Sequence, residues 1–243
     1  MEYFYILYFT DIDLLALHTH RGDHGWKLGE HATWSKQDIW ETGARVPLLI
    51  RAPFIKGSAG QRTYAMAETV DMYKTLAELA GLPPPPAAEG VEGVSLAPVV
   101  RNPGNTSVKE LALTQFPRCH IHSDATPWAD GSGQSYACMG NERTTFEVMG
   151  YAARSIDWRY IEWRAWDNAT LTSDWSPKGL LAAGLNDHRS DVRAEGSAYF
   201  DWAGDFVNVA DDGQFAQYRN AMAASLRKAF DKSTGQGARE RAS

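Results

Sequence analysis

Four consecutive prolines, Pro83–Pro86, constrain the fold of this 243-residue chain more than any other feature. Proline lacks an amide hydrogen and has a fixed φ, so no helix or inner sheet strand can run through them. Residues 66 to 80, just before, predict an amphipathic helix that Gly81 caps at its C-terminal end. The apolar face of this helix comprises Met72, Leu76, Leu79 and Ala80. The Pro-, Gly- and Ala-rich residues 83 to 107 then predict a long surface connection.

Short apolar runs before this break predict strands. Residues 12 to 19 form one run, and residues 45 to 52, ended by Pro53, form another. Their length is typical of buried strands in an α/β sheet. We therefore expect residues 1–107 to be the end of an α/β domain.

The pattern changes after the break. Residues 110 to 116 predict a strand, and residues 147 to 154 with 158 to 163 predict a hairpin. A last helix is predicted from about residue 211 to 230, with one apolar stripe. The stripe comprises Phe215, Tyr218, Met222, Leu226 and Ala229. We expect residues 108–243 to form an α+β subdomain with a small antiparallel sheet.

Composition and charge exclude several classes. The net charge of −6 argues against a nucleic-acid-binding protein, which needs a basic face. No run approaches the roughly 18 apolar residues of a membrane-spanning helix, and the first residues lack the basic start of a signal peptide. Two cysteines, Cys119 and Cys138, are too few for a cysteine zinc site. They either form one disulfide or are unrelated thiols.

The segment from Gly22 to Lys36 carries the candidate chemistry. Asp23 and His24 stand side by side just after a predicted strand, where both could reach one metal ion. Lys36 follows on the same loop and could meet an anion beside that metal. The alternative is an Asp-His turn with surface lysines, and one pair of ligands leaves both interpretations open.

Residues 23–31 read Asp-His-Gly-Trp-Lys-Leu-Gly-Glu-His and are followed by Trp-Ser-Lys at 34–36. This segment resembles the C-terminal signature of the iduronate-2-sulfatase-like branch of the sulfatase family, in the alkaline-phosphatase-like superfamily. Later segments resemble its next strand, its following helix and its C-terminal subdomain: residues 45–53, 70–82, and 115–118 with 149–163. The resemblance runs from about residue 22 to 230.

The resemblance implies a function and a site. It makes residues 1–107 the C-terminal portion of a sulfatase catalytic domain. Asp23 and His24 match the family's late pair of ligands to a divalent cation, usually calcium, and Lys36 matches a lysine that binds the sulfate. The implied reaction is hydrolysis of sulfuric esters on sulfated sugars such as 2-sulfated uronates. A lysosomal or secreted location is implied as well.

The family nucleophile is missing from the sequence. It is a formylglycine made from the cysteine of Cys-x-Pro-Ser-Arg, whereas Cys119 precedes His-Ile-His and Cys138 precedes Met-Gly-Asn. No catalytic residue is therefore assigned. We expect a fragment that is inactive alone and that the missing N-terminal half of the domain would complete.

Two alternatives remain. His18, His20, Asp23 and His24 resemble the His-x-His-x-Asp-His motif of metallo-β-lactamase-like zinc hydrolases, with one residue too many before the aspartate. The second alternative is a non-catalytic remnant of the sulfatase family, from a truncated or mispredicted gene.

Other residues of the motif have more ordinary interpretations. Glu30 and His31 are expected to orient the loop. Core packing is the commoner role for tryptophan, although a sugar pocket is the alternative; the tryptophans concerned are Trp26, Trp34 and Trp40. Surface positions are expected for three histidines: His120, His122 and His188.

Overall fold

The described chain consists of short strands and helices, with the longest strands in its second half. The computed structural model describes residues 17–36, 38–119, 146–191 and 202–230. In these ranges the strands are β1 (His18–Arg21), β2 (Lys27–Leu28), β3 (Trp34–Ser35), β4 (Leu48–Arg51), β5 (Ala112–Cys119), β6 (Phe146–Arg154), β7 (Trp158–Asp167), β8 (Thr172–Ser173) and β9 (Leu180–Asp187). The helices are α1 (Glu41–Ala44), α2 (Asp71–Leu79), α3 (Ala97–Arg101), α4 (Trp202–Phe206) and α5 (Ala216–Phe230). None of these helices has the length and apolar character needed to cross a membrane.

A five-stranded antiparallel sheet organises the second half of the chain. β5, β6 and β7 lie side by side, and β8 and β9 both pair with the other edge of β7. The predicted hairpin is confirmed as β6 and β7, joined by a turn in which the Ser155 N–H donates to the Trp158 carbonyl (2.8 Å). Pro117 lies in β5, an edge strand of the described sheet, where its missing amide hydrogen interrupts no inner ladder.

The main core lies between this sheet and α5. Met222 and Leu226 of α5 are buried in one cluster with Tyr160 and Leu185 of the sheet. Each such apolar side chain stabilises the fold by about 1.5–3 kcal/mol relative to an exposed one. This contact attaches α5 to the sheet.

Aromatic rings extend the core toward the start of α5. The rings of Phe215 and Tyr218 lie 5.7 and 4.6 Å from that of Trp158, centroid to centroid. The predicted apolar stripe is thus confirmed for Phe215, Tyr218, Met222 and Leu226. The α-helix begins later than predicted because a 3-10 turn precedes it, capped by the Asp212 side chain, which accepts from the Gln214 N–H (3.0 Å).

A buried ionic cluster also joins α5 to β7. Glu162 and Arg164 are fully buried in β7 and pair at 2.5 Å. Glu162 also accepts from the Tyr160 hydroxyl (2.9 Å) and from Arg227 of α5 (3.1 Å). A buried charge without its partner costs several kcal/mol, so this cluster fixes α5 over one part of the sheet.

The first part of the chain differs from the expected α/β sheet. β1 and β4 form an antiparallel pair, with His18 opposite Arg51 and Arg21 opposite Leu48. The expected strand at 12–19 is seen only from His18 onward, and residues 12–16 lie outside the described residues. The Leu49 side chain is 59% exposed, so β4 is not the buried strand that was predicted. An apolar run in the sequence does not show whether the neighbouring strand will be parallel or antiparallel to it. Every strand pair in the described ranges is antiparallel.

Helix α2 begins five residues later than predicted. The Asp71 carboxylate accepts hydrogen bonds from the N–H groups of Glu68 (2.7 Å) and Val94 (2.9 Å), which hold the preceding residues in a turn. Its predicted C-terminal cap is confirmed, because Gly81 has a left-handed φ of 69°.

The connection at 83–107 is not all surface, contrary to the prediction. It contains α3, which packs on α2 through the buried Leu96, Ala97 and Val99. The Leu96 N–H donates to the Thr75 hydroxyl (2.8 Å). α3 has only five residues and begins with a turn that contains proline. The Pro- and Ala-rich composition of this segment therefore did not indicate a helix.

Candidate functional site

The loop between β1 and β4 carries the predicted site and is held by glycines. The Gly25 N–H donates to the Gly43 carbonyl (3.0 Å). A Cβ at Gly25 would lie 2.0 Å from the Thr42 carbonyl oxygen, which no real Cβ does. Only glycine lets the backbone after Asp23 and His24 pass this close to α1.

Asp23 and His24 lie together at the surface. The Asp23 side chain is 83% exposed and that of His24 is 29% exposed. The His24 Nδ1 lies 2.7 Å from the Gly25 carbonyl oxygen, which can only accept, so Nδ1 carries a proton. In the neutral ring the Nε2 lone pair is then available, and Nε2 lies 3.4 Å from Asp23 Oδ2.

This arrangement fits a shared metal ion. Histidines that bind metals usually donate their other ring N–H to a carbonyl or carboxylate, as His24 does here. Oxygen ligands lie about 2.3–2.6 Å from calcium, so two ligand atoms 3.4 Å apart could bind the same ion. The exposed Asp23 side chain leaves room for further ligands.

Lys36 lies at the open end of a small hairpin. β2 and β3 pair antiparallel, with Lys27 opposite Ser35 and Leu28 opposite Trp34, and Lys36 follows directly. Its backbone carbonyl accepts from the Asp38 N–H (3.0 Å). The hairpin thus returns the chain to the start of β2, where Lys36 follows the residue that pairs with Lys27.

The inner face of the hairpin is tied down by a buried lysine. The Lys27 side chain has no exposed surface, forms an ion pair with Asp38 and donates to the Thr33 hydroxyl (2.8 Å). Asp38 also accepts from the Trp40 N–H (2.9 Å). Because a buried charge without its partner is costly, these contacts hold the hairpin in one position.

The tip of the hairpin is clamped to the second half of the chain. His31 has a left-handed φ of 54° and lies between two aromatic rings, with centroids 4.0 Å away for Trp40 and 4.5 Å for Phe206. Its Nε2 lies 3.1 Å from the fully buried Asp205 carboxylate of α4. The expectation that His31 orients the loop agrees with these contacts.

A larger ionic network continues from Asp205. Arg159 is fully buried and forms ion pairs with Asp205 (2.9 Å) and with Glu41 of α1 (2.6 Å). Burial lowers the pKa of Arg159 to about 10, and the Asp205 carboxylate opposes this shift most. Arg154 of β6 pairs with Glu41 as well (3.2 Å) and with Asp191 (3.1 Å).

His188 is part of this network, so the expected surface position was wrong. Its side chain is fully buried, with Nδ1 3.4 Å from Asp191 and Nε2 3.7 Å from Asp205. Burial lowers the pKa of His188, and the nearby Arg154 and Arg159 add to the shift against the effect of Asp191. His120 and His122, and the Cys119–Cys138 question, involve residues outside the described ranges.

Two of the three tryptophans are at the surface rather than in the core. Trp26 is 59% exposed and Trp34 is 52% exposed, whereas Trp40 stacks on His31. The Trp26 ring lies 6.0 Å from that of His24, centroid to centroid. The sequence identifies all three tryptophans but does not show how exposed each one is. The exposure of Trp26 and Trp34 depends on the β2–β3 hairpin.

Other candidate sites are less well formed. The residues that the structure describes contain no group of three or more His, Cys, Asp or Glu side chains placed to hold a metal. The zinc alternative therefore does not have its four ligands together: His18, His20, Asp23 and His24. A cavity of about 230 Å³ lies elsewhere, lined by Tyr64, Met66, Thr106, Lys109, Glu110, Ser155 and Ile156.

Sequence comparison finds relatives among sulfatases. Iduronate 2-sulfatase of Mus musculus is 29% identical over 194 aligned residues, with 63% of this chain and 33% of that protein covered. Arylsulfatase K of Homo sapiens is 32% identical over 159 residues, with 64% of this chain and 25% of that protein covered. The chain thus spans about a third or less of the length of these curated relatives. No family model matches the sequence.

Structure comparison extends the likeness over nearly the whole chain. A solved structure in complex with its substrate D-glucosamine-2-N,6-O-disulfate superposes with a TM-score of 0.58 at 20% identity. The match covers 93% of this chain and 35% of that one, and it establishes the shared fold. With the sequence relatives, it shows that the chain is similar to a C-terminal part of sulfatases and shares their alkaline-phosphatase-like fold.

Proposed function

We propose that this chain provides one side of the active site of a sulfuric ester hydrolase. Asp23 and His24 would hold a divalent cation, for which calcium is the family precedent, and Lys36 would contact the sulfate. The observation that carries the proposal is the fixed ring of His24, whose Nδ1 bonds the Gly25 carbonyl while Nε2 faces Asp23. A mere Asp-His turn has no need of that arrangement.

The bound cation would stabilise negative charge that develops on the transferring sulfuryl group. Asp23 would supply a charged oxygen ligand, and His24 would supply a neutral nitrogen whose direction is set by Gly25. Lys36 would add a positive charge that does not depend on the metal, and the buried Lys27–Asp38 pair would hold the hairpin on which it lies. These roles are binding and positioning, because they include no attacking group.

The proposed substrates are sulfated sugars such as 2-sulfated uronates, in a lysosomal or secreted setting. Two observations support this choice: the relatives include iduronate 2-sulfatase, and a solved neighbour binds a disulfated glucosamine. Since fold alone does not specify a substrate, the sequence relatives are the stronger support.

The chain alone is proposed to be inactive. The printed sequence has no Cys-x-Pro-Ser-Arg motif, so no formylglycine can form in it. Without a nucleophile the remaining charges have no attack to assist. The partner proposed to complete the site is the N-terminal half of a sulfatase domain.

The metal site is tested by titrating calcium and zinc into the purified 243-residue chain. We expect weak calcium binding, because two protein ligands leave the ion mostly hydrated, and we expect its loss in Asp23→Ala and His24→Ala. The exposed Asp211 provides a matched control, since Asp211→Ala should bind as the wild type does. Tighter zinc binding that depends on His18 and His20 would instead support the zinc hydrolase.

The catalytic proposal is tested by sulfate release. The isolated chain should give no turnover, and addition of a family N-terminal half should restore some. Lys36→Ala and Asp23→Ala should abolish the restored activity. Robust metal-dependent turnover by the isolated chain would show that the missing nucleophile has been misjudged.

A further inference from the structure

One face of the β2–β3 hairpin is apolar and open to solvent. Trp26, Leu28 and Trp34 are 59%, 65% and 52% exposed, and Leu28 lies directly opposite Trp34 in the ladder. Lys27, between the first two, points the other way and is fully buried. Two large rings and a leucine concentrated on one small exposed face are typical of a contact site.

The face is rigid rather than loosely exposed. Lys27 holds its reverse side through Asp38 and Thr33, and His31 is stacked at the hairpin tip. The backbone that carries the two rings is therefore held in place before a ligand arrives, which lowers the entropic cost of binding.

Charged groups border the same face. The Trp26 ring lies 6.0 Å from that of His24, beside the Asp23–His24 pair. Lys36 follows β3 at the open end of the hairpin, next to the start of β2. The apolar surface has a lysine and the proposed cation-binding pair, Asp23 and His24, at its edge. It therefore matches a ligand with one flat C–H face and an anionic substituent.

We propose that Trp26 and Trp34 form a stacking platform for the ring of a sulfated sugar. The apolar face of the pyranose would lie on the two indoles while its sulfate points toward Lys36. This inference rests on the proposed function and adds a subsite that selects sugar sulfates over the free anion. Indoles combine a large flat surface with few rotatable bonds, which suits this role.

The test is a binding titration of the 243-residue chain with three probes: a disaccharide containing a 2-sulfated uronate, its unsulfated counterpart and inorganic sulfate. We expect Trp26→Ala and Trp34→Ala each to weaken the affinity for the sulfated disaccharide at least about fivefold, the effect of one lost stacking contact. Both variants should keep the affinity for inorganic sulfate. Lys36→Ala should weaken disaccharide and sulfate alike.

Two further variants control for folding and exposure. Trp26→Phe and Trp34→Phe keep a ring and should retain most of the disaccharide affinity. Tyr73→Ala removes an aromatic side chain that is 59% exposed on α2 and should have no effect. Thermal unfolding of each variant confirms that the fold is intact.

The outcomes separate the platform from the proposed function. Disaccharide affinity unchanged in both alanine variants would overturn the platform, while Lys36-dependent sulfate binding would leave the proposed function standing. Absence of both sulfate and disaccharide binding would overturn the two together. If the alanine variants only reduce self-association or binding of an added sulfatase N-terminal half, the face is a protein interface and the platform is wrong.

Discussion

Gly25 shows how far a single backbone position controls the candidate site. The Thr42 carbonyl oxygen lies where a Cβ at Gly25 would be, 2.0 Å from it, and a backbone atom cannot move aside as a flexible side chain can. Gly25 also provides the carbonyl that orients His24. Stability and site geometry therefore depend on the same residue.

We expect Gly25→Ala to lower the free energy of unfolding by about 1–3 kcal/mol or more, the cost of forced overpacking. It should also weaken calcium binding, because the carbonyl that holds His24 moves. Gly213→Ala is the control, since nothing lies within 4 Å of its Cβ position. Denaturant titration measures the free energy of unfolding of both variants. A Gly25→Ala variant as stable as Gly213→Ala would contradict the geometry.

His188 predicts a pH dependence of stability. Burial lowers its pKa below the ordinary value of 6.5, so below that pH the unfolded chain binds a proton that the folded chain resists. Stability should therefore fall as the pH decreases from about 6.5, by at most about 1.4 kcal/mol per pH unit for one proton. His188→Gln should flatten this part of the curve in denaturant titrations between pH 7.5 and 5. Parallel curves for the two proteins would show that His188 does not titrate as described.

The residues of the candidate site could be proposed from the sequence, but their orientation and burial could not. Asp23, His24 and Lys36 stand in a recognisable motif, whereas the fixed ring of His24 depends on a loop shape that no motif records. His188 follows an aspartate and precedes Arg-Ser-Asp, a context typical of the surface. Its burial comes from β6, β7 and α4, which are distant in the sequence.

At the level of elements, the clamp between the hairpin and α4 is the contact that sequence reasoning could not find. Asp205 is fully buried and is shared by His31 and Arg159. One carboxylate thus connects the tip of the hairpin, β7 and α4. Removing its charge leaves Arg159 buried with one partner fewer.

Asp205→Asn should therefore destabilise the fold by about 3 kcal/mol, the lower end of the range for a broken buried ion pair. Asp187→Asn makes the same chemical change in a partly exposed pair with Arg189 and should cost less than about 1 kcal/mol. Chemical denaturation compares the two. Equal costs would mean that Asp205 contributes no more than a surface charge.

Elements with a clear pattern were predicted and weakly patterned ones were not. β6 and β7 are nine and ten residues long and contain several aromatic and β-branched residues, which favour strands, and α5 has a full apolar stripe. β9 reads Leu-Leu-Ala-Ala-Gly-Leu-Asn-Asp, in which Ala, Gly, Asn and Asp have little strand preference. β2 and β3 have two residues each, which is too short for any periodicity.

For the whole molecule, the contacts across residue 107 bear on the predicted division into 1–107 and 108–243. Ion pairs join Glu41 to Arg159 and Arg154, and the Leu113 N–H donates to the Glu68 carboxylate (2.8 Å). These contacts are mostly buried, so opening one part would expose unpaired charges of the other. The division itself stays a prediction.

We accordingly expect thermal unfolding in a single transition. Far-UV circular dichroism, which follows the sheet, and tryptophan fluorescence, which includes Trp26 and Trp34 on the hairpin, should give the same midpoint. Two separated midpoints would show that the parts unfold independently and that the ionic contacts couple them only weakly.

The sandwich of His31 between Trp40 and Phe206 has a spectroscopic consequence. Ring currents from the two flanking aromatic systems act on the imidazole protons from both sides and move their NMR resonances to high field. Trp40 precedes α1 and Phe206 ends α4, so the full displacement requires both parts of the chain to be docked. A single histidine resonance can thus report whether the hairpin is seated, without any label.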